Sequence, residues 1–452
     1  MAPGEKQESI AGKLAGFVHA LTYESLPEDM RDLAKNRILD ALSCAYAGRN
    51  LPHSRTAVEI AKNSPGNCTV IGHPIKTALL DGVMANSVLA HSILQEDTAF
   101  MGHPGTMMVP VALAVGEQEK ASGKEGLAAI VAGYELMGRI SMGVYPMAMS
   151  AFRPGPIMGT FGAAATAGKL MKLDVEKLTH GLGYAASLAP GLPNEGWWGG
   201  TMEPMFEAGV CARIGVLSAG LARGGATAAP RVLDGRHGFL RCWAGNTEKA
   251  ALITEGLGKT YLMSQVVVKP FPACGINQLP IQAALPLAKL GLRAKDISRI
   301  VEKTRPGGTS YAGSDFPGPF DSQFQAQMSM QFCAAATILG RPVDSLSFYA
   351  EHYEDPEVAE LAKKVELLCE EGRVKPRFEV YTRDGRVFTA EEETVDQAPR
   401  TPSREGMEQK FRRLATDFLG EQRVDQIIEL VMNLEKLADL RELTAELSVY
   451  GK

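Results

Sequence analysis

Apolar residues recur at helical spacing through most of residues 1–265. After Pro27, positions Leu33, Ala34, Ile38, Ala41, Leu42 and Ala45 share one face, and the run stops at Gly48, matching the proline-early, glycine-late asymmetry of helix ends. The same period predicts helices over 78–95, 107–119, 124–142, 159–173, 175–189, 211–222 and 239–252. Many of these positions are Ala or Gly, as in Gly162-Ala163-Ala164-Ala165. Small residues let helix backbones approach closely, and packing must then offset the helix propensity that glycine lacks. Asp40 interrupts its apolar run and reads as a buried, hydrogen-bonded structural aspartate.

The pattern changes near residue 264. Val266-Val267-Val268 is short and β-branched, 297–301 resembles a second strand, and 377–389 reads as a hairpin about Asp384-Gly385. Helical runs at 278–290, 325–339 and 356–368 lie between them. From residue 404 helices return, first over 407–419 and then, with a break, over 424–447. The predicted fold class is mainly α with an α+β insert. A large all-helical domain is built from both chain ends (1–265 and 402–452), with a smaller α+β lid domain over 266–401. A chain of 452 residues is long enough for two cores, and the cleft between them is the natural ligand site.

Composition narrows the function. Lys+Arg total 47 against 52 Asp+Glu, with no basic run, so neither nucleic acid nor a charged membrane surface is an expected partner. The seven cysteines are scattered with no C-x-x-C pair, which fits reduced thiols. Residues 1–8 lack the apolar core of a signal peptide, and no uninterrupted apolar run reaches bilayer length. The expected location is the cytoplasm. Gly258-Lys259-Thr260 lacks the first glycine of a phosphate loop, since Ile253 stands there. There is no H-E-x-x-H, the eight histidines do not fall at metal-ligand spacing, and neither a nucleophile elbow nor a dinucleotide fingerprint occurs. The expectation is no metal and no tightly bound cofactor.

The stretch Glu96 to Thr106 sets acid, hydroxyl and imidazole groups between two helices, as an active-site loop does. Asn86-x4-His91 followed by Asp97-Thr98-x4-His103-Pro104-Gly105 resembles the MmgE/PrpD family, which includes 2-methylcitrate dehydratase, cis-aconitate decarboxylase and iminodisuccinate epimerase. Residues 134–139, 159–164, 269–274 and 326–330 extend the resemblance nearly end to end. It implies a large helical domain with an α+β lid, usually a homodimer, and proton transfer beside a carboxylate of small di- and tricarboxylates.

Several positions depart from the family pattern. Leu94 stands where dehydratase- and decarboxylase-like members carry an aspartate, with Glu96 at the next acidic position. Arg153 replaces a second histidine, Pro204 a lysine, and Gln278 the histidine after the Lys-Pro-x-Pro stretch. The resemblance implies His103 as acid or base, just before a helix starting near Thr106 whose N–H groups and dipole would face a ligand. Lys269 is the expected partner of a substrate carboxylate and of an enediolate. Arg153 reads as a bidentate carboxylate clamp or as a salt-bridge partner of Glu203 or Glu207.

Tyr311, in a glycine-rich lid loop, is either an acid on the opposite face or a surface tyrosine. Asp97 and Thr98 would orient His103 or substrate, Asp97 alternatively capping a helix. Gln278 is an expected substrate contact and Cys274 a packed thiol. Trp197-Trp198 would wall the cleft or cover a dimer interface. The leading expectation is a cofactor-independent lyase for a small di- or tricarboxylate. An epimerase or a non-catalytic carboxylate-binding protein are the alternatives.

Overall fold

The computed structural model describes residues 9–144, 152–391 and 402–448. The polar segment 1–8 and the expected lid boundary at 401 lie outside the described residues. The stretches with helical spacing form helices Glu28–Gly48, Leu79–His91, Gly105–Glu119, Gly123–Val144, Pro154–Leu170, Val175–Leu188 and Glu203–Arg223. The last begins well before its expected start, with Pro204 in its first turn, where a missing N–H costs nothing. The helix expected over 239–252 is only Phe239–Ala244, ended by Gly245 at φ 66°, followed by a 3-10 turn at Ala250–Ile253. Ile10–Ala20 and Pro52–Lys62 are further helices that the sequence reading does not find.

Among the described residues two helices, Gly123–Val144 and Glu203–Arg223, are by length and composition apolar enough to cross a bilayer, although Glu135 and Arg139 in the first and Glu207 and Arg213 in the second interrupt their apolar runs. Their apolar windows are 94% and 61% buried by other parts of the chain, so here they serve as core helices. Small residues allow this packing. A Cβ on Gly155 would fall 2.2 Å from the Met101 carbonyl oxygen, so the 96–106 loop can rest on the 154–170 helix only because that position is glycine.

A second core lies over a four-stranded sheet ordered Val365–Cys369, Ile297–Thr304, Arg377–Thr382, Val387–Glu391. The first pair is parallel and the others antiparallel. Helices Gln278–Ala288, Met330–Ile338 and Pro356–Ala362 contribute to this core. The hairpin turns at Gly385, φ 86°, as its sequence predicts. Residues 365–369, expected at the end of a helix, are strand instead, because they pair residue for residue with 300–304; the ladder overrides local propensity. The helix expected over 325–339 breaks at Ser329, whose Oγ accepts the Phe332 N–H at 2.9 Å and caps the second half.

Helices Arg404–Leu419, Glu421–Met432 and Arg441–Leu447 return to the first core through Met407, Phe411, Ile427 and Leu443. One apolar cluster therefore draws on residues 11–268 and 407–447, while the other lies within 273–380. Asp40 is the buried structural aspartate expected. One oxygen pairs with Lys410 Nζ at 2.6 Å and the other accepts the Asp97 N–H at 2.7 Å. Lys410 also donates to the carbonyls of Gln95 and Lys269, binding the 404–419 helix to two distant segments.

Candidate active site

A two-residue antiparallel ribbon organises the site. Asp97 pairs with Val268 and Thr98 with Val267, so Glu96 and Lys269, 173 residues apart, lie side by side. Lys269 Nζ is 3.1 Å from Glu96 Oε1, both side chains being buried. The same oxygen faces His91 Nδ1 at 3.0 Å and His103 Nδ1 at 3.1 Å. Burial alone would raise the Glu96 pKa, but the Lys269 ammonium and the two imidazoles hold it well below the usual carboxylate range.

His103 Nδ1 also lies 3.0 Å from the Asp97 carbonyl oxygen. A carbonyl and an ionised carboxylate can only accept, so Nδ1 carries the hydrogen and Nε2 the lone pair. Among the described residues Nε2 has no protein partner, and the ring lines a cavity with Thr98, Arg153, Lys269 and Tyr311. Burial, then Lys269, push the imidazole well below its ordinary pKa, and Glu96 offsets them only in part. At neutral pH His103 is an uncharged imidazole with a defined tautomer.

Asp97 points the other way, a correction to its expected role at the substrate. Its Oδ1 accepts the Gly105 N–H at 2.9 Å and its Oδ2 the Tyr134 hydroxyl at 2.6 Å. It therefore caps Gly105–Glu119, and the amide expected to face a ligand is already occupied. Negative charge there is favoured by the helix dipole. Thr98 lines the cavity, its hydroxyl donating to the Gly102 carbonyl at 3.1 Å.

Arg153 closes the opposite wall. Its guanidinium lies 3.8 Å over the Trp197 ring, and Nη1 bonds the Tyr311 hydroxyl. It makes no salt bridge to Glu203 or Glu207, because Glu207 accepts from Trp197 Nε1 at 3.1 Å and Glu203 from Thr201 at 2.8 Å. Burial pushes the Glu207 carboxyl up to about 7. Arg153 Nε is buried with no protein partner among the described residues. Tyr311 is part of the cavity wall and not of the outer surface, Trp197 is buried beneath Arg153, and Trp198 is half exposed. Arg153→Lys keeps the charge but loses the planar fork and the ring contact. We expect KM for a carboxylate substrate to rise roughly 10–100-fold with a smaller change in kcat, as read by steady-state kinetics.

The cavity, about 210 Å³, thus presents His103, Lys269, Arg153, Tyr311 and, at its mouth, Arg305. Leu94, in the left-handed conformation at φ 55°, joins Trp197, Cys274 and Met328 in an apolar wall. Cys274 is the packed thiol expected, its pKa raised by burial. Gln278 does not reach this cavity. Its amide is taken up by the backbone of Phe271, Ala273 and Cys274, so it shapes the Lys-Pro-x-Pro turn.

Sequence spacing also hides a cluster. His91, Glu96 and His103 bring possible ligand atoms within 4.8 Å of one another. Its donor chemistry does not suit a metal as arranged, since His103 Nδ1 is protonated and Lys269 Nζ already supplies the positive charge beside Glu96. Glu96 lies in the loop expected to carry the site and His91 in the quoted motif, but neither was assigned a role, and Lys410 was not expected there.

Comparison with known proteins agrees with this architecture. Residues 12–251 match the MmgE/PrpD N-terminal domain and residues 271–436 the MmgE/PrpD C-terminal domain. The chain is 30% identical to the cis-aconitate decarboxylase of Homo sapiens over 467 residues, covering 97% of this chain and 94% of that protein. It is 26% identical to a cis-aconitate decarboxylase of Aspergillus terreus over 478 residues, covering 98% and 96%. The chain is an enzyme of the MmgE/PrpD family.

Proposed function

We propose that the enzyme is a lyase for a small di- or tricarboxylate, working without a bound cofactor by acid–base chemistry at the carbon beside a carboxylate. The observation that carries this reading is the single cavity lined by an uncharged His103 with Nε2 open and by Arg153, Tyr311 and Lys269. The cis-aconitate decarboxylases among its relatives support it. Lys269 and Arg153 hold carboxylates, with segment 266–401 acting as the lid that carries Lys269 and Tyr311. In an elimination, Nε2 takes the proton from the α-carbon, the C–H electron pair passes into an enediolate beside Lys269, and the leaving group departs with its own pair. In a decarboxylation, the C–C pair remains on the substrate carbon as CO2 leaves, and a proton from the Tyr311 hydroxyl quenches it.

The presence of two proton-carrying groups, His103 and Tyr311, in one cavity is also compatible with an epimerase, in which one group removes a proton and the other returns it. Incubation with cis-aconitate and hydroxy-di- and tricarboxylates in D2O separates the readings. A decarboxylation releases CO2 and leaves one deuterium on the product, and a dehydration releases water and passes the α-proton to the medium. Deuterium exchange at the α-carbon with neither release shows an epimerase, and tight binding with neither exchange nor release shows a non-catalytic carboxylate-binding protein.

A further inference from the structure

Behind the wall formed by Lys269 and the 274–276 turn lies a second cavity, also about 210 Å³. The two cavities share Thr98, Lys269, Gly275, Ile276 and Arg305 as lining. They differ in chemistry. Away from the shared wall the second is bounded by Val267, Pro270, Leu279, Pro280, Pro376 and the exposed Val374, with Gln282 and Thr304 as uncharged polar members. Gln278, which also lines it, has its amide committed to backbone partners. No charged side chain enters this lining except the shared Lys269 and Arg305.

The seam between the cavities has no side chain filling it. A Cβ added to Gly275 would find only Thr98 within 4 Å, the methyl at 3.9 Å and the hydroxyl at 4.0 Å. Gly275 does not have a positive φ, so no backbone conformation requires glycine there. The missing side chain leaves room at a position that lines both cavities, as Lys269 and Arg305 do.

We propose that the second cavity is a subsite for an alkyl substituent of the substrate, so that the preferred substrates are dicarboxylates or tricarboxylates bearing an unbranched apolar chain. This rests on the carboxylate-lyase reading and extends it. Lys269 and Arg305 hold the carboxylate at the seam, the reacting carbon faces His103, and the chain passes between Thr98 and Gly275 into the apolar chamber. Transfer of each methylene from water favours binding.

The test is a binding series read by calorimetry with the full-length enzyme: maleate and its 2-methyl, 2-propyl and 2-pentyl derivatives, with turnover of the same compounds measured separately. Affinity is expected to rise about fourfold per methylene until the chamber is filled. Leu279→Trp, which fills the back of the chamber, is expected to leave maleate affinity and turnover within twofold of wild type and to abolish the gain from the longer chains. Gly275→Val, which plugs the seam, is expected to abolish the gain as well. A flat series in wild type, binding of no member, or an undiminished gain in a folded Leu279→Trp variant overturns the subsite. A rising affinity series with no turnover of any compound would leave the subsite standing and refute the lyase reading.

Discussion

Replacing His103 with asparagine is expected to lower kcat by roughly 10²–10⁴-fold while changing KM little. Asparagine can still donate a hydrogen bond to the Asp97 carbonyl, which His103 Nδ1 now meets at 3.0 Å, so the loop keeps its anchor and only the open nitrogen is lost. Steady-state kinetics on any accepted substrate, with circular dichroism to confirm the fold, checks the result. The pH profile of the wild type gives an independent reading. Because burial and Lys269 hold the imidazole well below its ordinary pKa, kcat/KM for a proton-removing step should stay level as pH falls through about 6.5 and decline only at lower pH. Bound carboxylates add negative charge beside the ring and raise its pKa, so the acid limb of kcat should lie above that of kcat/KM. A kcat/KM limb at or above the ordinary histidine value would contradict the neutral imidazole.

Glu96→Gln should have the largest effect on stability. Glutamine preserves shape but leaves the Lys269 ammonium, wholly buried, without its counter-charge. Breaking one side of a buried ion pair costs about 3–5 kcal/mol, and urea unfolding should show a loss of that order. The double variant Glu96→Gln with Lys269→Met removes both charges and should recover most of the stability while remaining inactive. If the double variant is as unstable as the single one, the pairing is not what holds this corner together. The Glu96 carboxyl is held well below the range it has in the unfolded chain. Its contribution is therefore fully present above about pH 4.3 and is lost as pH falls toward its folded pKa. The double variant should lack that acid-dependent component.

The sequence reveals much of the frame and less of the centre. Helical spacing is a local signal, and Glu28–Gly48 or Val175–Leu188 can be read from it almost to the residue. Strand 365–369 cannot, since its only instruction is the partner strand 297–304 on the far side of a helical run. His103 and Lys269 stand out because each sits in a recognisable stretch. Glu96 lies in the same loop as His103, but its pairing with Lys269 is not legible there, because it arises from a register that joins residues 173 positions apart. For Arg153 the sequence offers nearby acids as partners. The folded chain gives it Trp197 and Tyr311 instead, a choice set by how the 195–199 and 203–223 helices turn their side chains.

Lys410 gives the fold an order of completion. Its ammonium neutralises Asp40 and grips the carbonyls of Gln95 and Lys269, so the segment carrying Glu96 and the one carrying Lys269 are clamped by a residue made long after both. A chain halted short of residue 404 lacks the ammonium that pairs with Asp40 and the donor shared by the Gln95 and Lys269 carbonyls. Joining of the Glu96 and Lys269 segments through a common donor is thereby tied to synthesis of the 404–419 helix.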